Sequence, residues 1–212
     1  MMGREYPILF AGPMVRAIFD GSKTQTRRVI LPQPSHVENG RAFLMQNDAG
    51  YLPAGSTRER IIRCPAGEPG DLLWVREAWF PALKRTASSS GAVFPSQAQS
   101  LAPYGDPGEA NPGWKPSGGW KRSIHMPRWA SRLTLEITAV RVQRIQDISN
   151  DDARAEGVCG VDWGDGSDWY GPANYVKSFR VLWDSLNGKR GYPWSLNPWV
   201  WAVTFKRADS RE

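Results

Sequence analysis

Cysteine and histidine are scarce in this chain, with two of each in 212 residues. Cys64 and Cys159 form no CxxC pair, and only His36 and His125 are available to join them. That pattern argues against a structural zinc site and against a disulfide framework, so neither a metal nor another cofactor is expected. Two scattered thiols fit a reducing cytoplasm. No apolar run approaches ~20 residues, the length that spans a bilayer, so no transmembrane helix and no membrane partner are expected. The opening MMGREYPILF has neither a long apolar stretch nor a small-residue cleavage pattern, so no signal peptide is expected either. There is no internal repeat.

What the chain does have points to a folded protein rich in turns. Hydrophobic residues make up 41% and charged residues 23%, which excludes wholesale disorder. Gly 21 and Pro 17 imply many turns and short strands. Eleven Trp is several times an ordinary share, and Trp serves both as core filler and as a stacking platform. A net charge of +6 is compatible with a polyanionic partner without establishing one.

Patterning along the chain predicts an α+β fold, a small mixed sheet curled into a barrel with about three short helices. An extended entry, Pro7 to Phe10, leads into a helix with Pro13 in its first turn. Met14, Val15, Ile18 and Phe19 form its apolar face, and Gly21 is its stop. Thr24 to Ile30 favours a strand. Residues 31–69 look like a long excursion with short hairpins. Gly70-Asp71 is a turn, and Leu72 to Phe80 reads as a buried strand. Residues 81–122 carry so many breakers that they read as a loop inserted over the core of a single domain spanning 1–212. Leu133, Leu135 and Ile137 alternate with Thr134, Glu136 and Thr138, a half-buried strand continuing to about Ile145. Ser149 with Asp152 three residues on resembles a capping box for a short helix that stops at Gly157. Tyr175, Val176, Phe179, Leu182, Trp183 and Leu186 share a helical face, with Gly188 at its end. Trp199, Trp201, Val203 and Phe205 alternate in a last strand.

Two places break local rules. Glu156 sits in the last turn of a short helix, at the negative end of the dipole, which disfavours a carboxylate by ~0.3–1 kcal/mol. Such a position raises a carboxyl pKa and suits a general acid or base; the alternative is a solvated surface Glu. The other place is Lys23 to Arg28. Lys23 and Thr26 are three apart and on a strict strand point to opposite faces; they converge only if Lys23 lies in the turn and reaches over. A desolvated Lys would then activate Thr26 as a nucleophile. The alternative is a basic surface strand with Arg27 and Arg28 solvated or gripping phosphate. Trp183, Trp199 and Trp201 fall on periodic elements and read as core. Trp114, Trp120, Trp163 and Trp169 lie in breaker-rich loops, as stacking elements or as hydrophobic plugs. His125 reads as a structural hydrogen-bonding residue. Asp162, Asp165 and Asp168 lack the Glu that ends a calcium loop, so they are not read as a metal site.

Ala17-Ile18-Phe19-Asp20-Gly21-Ser22-Lys23-Thr24-Gln25-Thr26-Arg27-Arg28 resembles the opening motif of the ASCH domain family, a short helix followed by Gly-x-Lys-Thr-x-Thr-x-Arg. Gly70-Asp71 before an apolar strand is similar to the family's second signature. The block Ile124-His125-Met126-Pro127-Arg128-Trp129-Ala130-Ser131-Arg132 is similar to phage- and prophage-encoded members. The resemblance implies a PUA-like β-barrel, a nucleoside or RNA substrate, and a metal-independent amidohydrolase that removes the acetyl group from N4-acetylcytidine. It implies Lys23, Thr26 and Glu156 as the catalytic set, and Arg28, Thr24, Trp74 and Arg76 as substrate contacts. The rival readings are a non-catalytic module that binds RNA or a modified nucleotide, a ribonuclease, and a phage accessory protein that binds a host protein. A buried Lys23–Thr26–Glu156 cluster would favour the enzyme; a basic groove with Lys23 exposed would favour the binder.

Overall fold

The computed structural model describes residues 3–46, 58–81, 92–93, 121–158 and 174–208. The chain packs as two compact units, each assembled from separate stretches of sequence. One holds Met1–Gly21, Gly70–Glu136 and Lys206–Glu212; the other holds Ser22–Pro69 and Ile137–Phe205.

In the first unit, β1 (Glu5–Leu9) pairs in parallel with β6 (Leu72–Arg76), and β6 pairs antiparallel with the start of β9 (Thr134–Arg144). Between β1 and the second unit's first strand runs α1 (Gly12–Phe19), with Pro13 in its first turn and Val15 and Ile18 buried. Its stop is Gly21, whose φ of 76° lies where a Cβ would be strained. The strand expected over Leu72–Phe80 is shorter and less buried than its sequence suggests. It ends at Arg76, with Leu73 and Val75 buried and Leu72, Trp74 and Arg76 half-buried. The reason is the next residue: the Glu77 side chain turns inward to Arg132, and its N–H donates to Met126 Sδ. Trp79 then pairs with Lys121, and Phe80–Pro81 (β7) pairs with Ala92–Val93 (β8). Pro81 and Ala92–Val93 fall within the segment read as an inserted loop, most of which lies outside the described residues, while Phe80 ends the stretch read as a strand. His125 is exposed, in a single 3₁₀ turn.

In the second unit, β2 (Gln25–Val29) pairs antiparallel with β10 (Trp199–Arg207), with Val203 opposite Thr26 and Ala202 opposite Arg27. The strand order β1-β6-β9-β10-β2 runs from a parallel edge to this antiparallel one. Among the described residues no pairing joins β1 to β2, so the sheet is open; the closure of a barrel is not among these pairings. The 31–69 excursion forms a separate antiparallel sheet of β3 (His36–Glu38), β4 (Arg41–Gln46) and β5 (Arg58–Ile62). The architecture is α+β.

Two helices pack on this unit's core. Short α2 (Asn150–Ala155) starts at Ser149, whose hydroxyl accepts the Asp152 N–H at 3.0 Å. Only this half of the expected capping box forms among the described bonds of Ser149, because the Asp152 carboxylate is used elsewhere. Longer α3 (Tyr175–Asn187) buries Phe179 and Trp183 against Ile145, Ile148, Ala153 and Val200. Truncating Phe179 or Trp183 to Ala would cost about 3–5 kcal/mol. Leu186, read as part of the apolar face, is 51% exposed. Gly188 is the C-cap, as expected, and the chain tightens from there into a 3₁₀ turn. The left-handed residue is Gly191, φ 86°. The loop read over 160–173, with Asp162, Asp165, Asp168, Trp163 and Trp169, lies outside the described residues, as do Trp114, Trp120 and Cys159. No helix is long and apolar enough to cross a membrane among the described residues.

Candidate active site

β2 and the C-terminal end of α2 meet edge-on in the second unit. Lys23 lies just before β2 and forms an isolated antiparallel bridge with Glu156, the residue that caps α2. The backbone locks this junction from both sides: the Thr24 N–H donates to Ala155 O at 2.8 Å, and Thr24 O accepts the Phe205 N–H at 2.9 Å. Gly157, φ 77°, lets the chain leave the helix at once. Lys23 is therefore outside the strand proper.

The junction buries an unusual amount of charge. Lys23 is 2% exposed, Glu156 4%, Thr26 4% and Arg27 5%. Lys23 Nζ donates to Glu156 Oε2 at 2.9 Å, to Glu156 O at 2.8 Å and to Gln25 O at 2.7 Å. The last acceptor is the carbonyl of the peptide that joins Gln25 to Thr26. Arg27 Nη1 donates to Glu156 Oε1 at 3.0 Å and to Gln25 Oε1 at 3.1 Å, while Nη2 donates to Asp152 Oδ2 at 2.8 Å. Gln25 Nε2 donates to Asp152 Oδ1 at 2.9 Å. From β9, half-exposed Arg141 Nη2 reaches both Asp152 oxygens at 3.1 and 3.2 Å.

Two acids and three cations thus share one network, buried at Lys23, Arg27 and Glu156. Its interior is dry enough that every partner matters, because an ion taken from water is stabilised only by the groups that replace the water. Burial pushes the Lys23 ammonium below its ordinary pKa; the Glu156 carboxylate works against this, and the Arg28 and Arg27 charges add to it. Burial likewise pulls Arg28 down, with Glu156 opposing and Arg190 adding. For Asp152, burial favours the neutral acid. The Gln25 hydrogen bond and the Arg27 and Arg141 charges outweigh that and hold its carboxyl below the usual value. The chemical capacity of the site is a proton on Lys23 that desolvation loosens, with a carboxylate 2.9 Å away to receive it.

Lys23, Thr26 and Glu156 are all buried in this unit, and Arg28 is half-buried beside them on β2. Thr24 has its backbone fixed and its residue surface exposed. Trp74 and Arg76 belong to the other unit. There the Arg76 guanidinium lies 5.3 Å from the Trp74 ring and donates to Ile124 O. The sequence singles out neither Gln25 nor Arg141, and it misplaces two further members of the network. Arg27, read as solvated or phosphate-gripping, is fully interior, and Asp152, read as serving the helix N-terminus, faces β2. The signal available was parity: Lys23, Gln25 and Arg27 recur every second residue, which puts three polar side chains on one side of an extended segment. A cavity of about 380 Å3 in this unit is lined by Leu31, Pro32, Leu44 and residues 60–63, not by the network.

No family model and no curated protein matches the sequence. Among solved structures, the chain is similar to an ASCH domain from Lactobacillus crispatus JV V101. The two are 12% identical with a TM-score of 0.40, over 96% of this chain and 79% of that one.

Proposed function

We propose that this chain is an amidohydrolase that removes an acyl group from a modified nucleoside such as N4-acetylcytidine. Lys23, Thr26 and Glu156 carry the reaction, and Arg28 and Thr24 contact the substrate. The observation that carries this reading is the burial of Lys23, with its Nζ 2.9 Å from the Glu156 carboxylate. A non-catalytic phosphate binder needs its cations at the surface.

In this reading Lys23 passes a proton to Glu156 Oε2, leaving a neutral amine and a carboxylic acid. The amine takes the Thr26 hydroxyl proton as Oγ1 attacks the acyl carbonyl. Arg28 stabilises the oxyanion. The C–N bond breaks, the Glu156 acid protonates the leaving amine, and an acyl ester remains on Thr26. Water then attacks the ester, giving a proton to Glu156, while Thr26 Oγ1 leaves with a proton from Lys23. Transfer from Glu156 back to Lys23 restores the starting state and releases the carboxylic acid.

The test is chromatography of N4-acetylcytidine incubated with wild type, Lys23→Ala and Thr26→Ala. Cytidine from wild type alone supports the reading. Cytidine from all three points to contamination or to another site. None from any, with wild type folded, rejects this substrate and favours the rival, a module that binds RNA or a modified nucleotide without chemistry.

A further inference from the structure

We infer that Arg27 is a positioning residue of this site: its guanidinium fork spans Asp152 and Glu156 and holds Glu156 so that one carboxylate oxygen stays on Lys23. The inference rests on the amidohydrolase reading, but its geometry is independent of any substrate.

The two Glu156 oxygens are divided between two cations. Oε1 accepts from Arg27 Nη1 at 3.0 Å, and Oε2 accepts from Lys23 Nζ at 2.9 Å. A carboxylate with only one of these partners is free to rotate about its last torsion, and the proton path to Lys23 would open and close with it. Arg27 removes that freedom only if it is itself fixed. Asp152 fixes it by taking the second arm of the fork at 2.8 Å. Asp152 is held in turn by Gln25 Nε2, by Arg141, and through its own N–H by the Ser149 cap. The anchor is therefore the first turn of α2, and the held group is the cap at the other end of the same helix. A planar fork with rigid geometry suits a span between two carboxylates; a lysine carries one point charge and reaches one of them. Gln25 and Arg27 occupy the two unspecified positions between Lys23 and Arg28 in the Gly-x-Lys-Thr-x-Thr-x-Arg pattern, so the motif does not itself supply this layer.

Arg27 also acts on Lys23 through charge. The groups that face Lys23 are Glu156 from the end of α2 and Arg27 and Arg28 from β2. Asp152 of α2 and Arg141 of β9 stand behind Arg27. Of these, Arg27 pushes Lys23 toward the neutral amine, and it draws on the carboxylate that pulls the other way. Removing Arg27 takes a like charge from beside Lys23, which favours the ammonium, so Lys23 would titrate at higher pH.

The experiment follows the Lys23 Cε resonance through a pH titration of 13C-lysine-labelled full chain, in wild type, Arg27→Gln and Arg27→Lys. Lys23→Arg assigns the resonance. In parallel, kcat and KM for N4-acetylcytidine are measured against pH. The expected result is a midpoint raised by about one pH unit in Arg27→Gln and by less in Arg27→Lys, with the acid limb of kcat moving alongside. An unchanged midpoint in folded Arg27→Gln overturns the inference. If Arg27→Gln does not fold, an unchanged midpoint in Arg27→Lys overturns it instead. Absence of hydrolysis by wild type would reject the amidohydrolase reading, while the titration would still decide the role of Arg27.

Discussion

Glu77 in one unit and Glu156 in the other are both buried carboxylates, at 2% and 4% exposure. They are held in different ways. Glu77 is gripped by the Arg132 guanidinium, with Nε at 2.8 Å from one oxygen and Nη2 at 3.1 Å from the other. Behind that pair the Arg132 and Arg207 guanidinium groups lie 4.9 and 5.1 Å from the Phe19 ring. Glu156 is divided between an arginine and a lysine. A guanidinium does not give up its proton in a protein, so the Glu77 pair has nothing to transfer. An ammonium in a dry site does, so the Glu156 pair has. Burial of a carboxylate therefore does not mark chemistry; the acidity of the partner does.

Activity should separate the two most. Lys23→Ala and Thr26→Ala are expected to lower turnover of N4-acetylcytidine by about 10³-fold or more, whereas Glu77→Gln should leave it within about threefold, read by initial rates on folded protein. Comparable losses in all three variants would erase the distinction. Stability should separate them less. Glu156→Gln strands two buried cations and is expected to cost about 3–5 kcal/mol in urea unfolding. Glu77→Gln takes the carboxylate from Arg132, whose side chain keeps 17% exposure, and should cost about 1–3 kcal/mol.

The smallest effects are in pH dependence. The Lys23 pKa is depressed in the fold. Between that value and the ordinary lysine value the unfolded chain binds more protons, so stability should rise with pH across the window, and this slope should vanish in Lys23→Met. Asp152 behaves in the opposite pH range. Its folded pKa lies below the ordinary value, so the stability it contributes is present above the ordinary aspartate range and is lost as pH falls through the folded value. Asp152→Asn should flatten the acid side of the curve. No such change is expected from Arg132→Lys, which keeps the Glu77 pair charged.

Much of the framework is legible in the sequence because it is set by local chemistry. Pro13 and Gly21 bracket α1, Ser149 caps α2, and Leu133, Leu135 and Ile137 alternate into the core as β9 begins. The misjudged features are tertiary. Arg27-Arg28 reads as a basic surface pair until a helix 125 residues away supplies the carboxylates that let Arg27 go inside. Asp152 has a sufficient local role at the helix start, which conceals that its carboxylate faces β2. Leu186 follows the helical period of Phe179 and Trp183, yet the core ends one turn before it. For Lys23 and Thr26 the spacing alone poses a conflict; Lys23 sits before the strand, and its Nζ reaches the Gln25 carbonyl.

The bridge between Lys23 and Glu156 closes a loop of 133 residues. Closing so long a loop carries an entropic cost that local contacts do not share, and contacts of this range form late in folding. During synthesis Lys23 emerges early, while its carboxylate, the Asp152 anchor and the α3 residues that bury the junction all follow much later. A nascent chain therefore holds a lysine and a threonine with no acid to serve them. Any chemistry this junction performs therefore waits until the chain from Lys23 to Glu156 has been made and has folded back on itself.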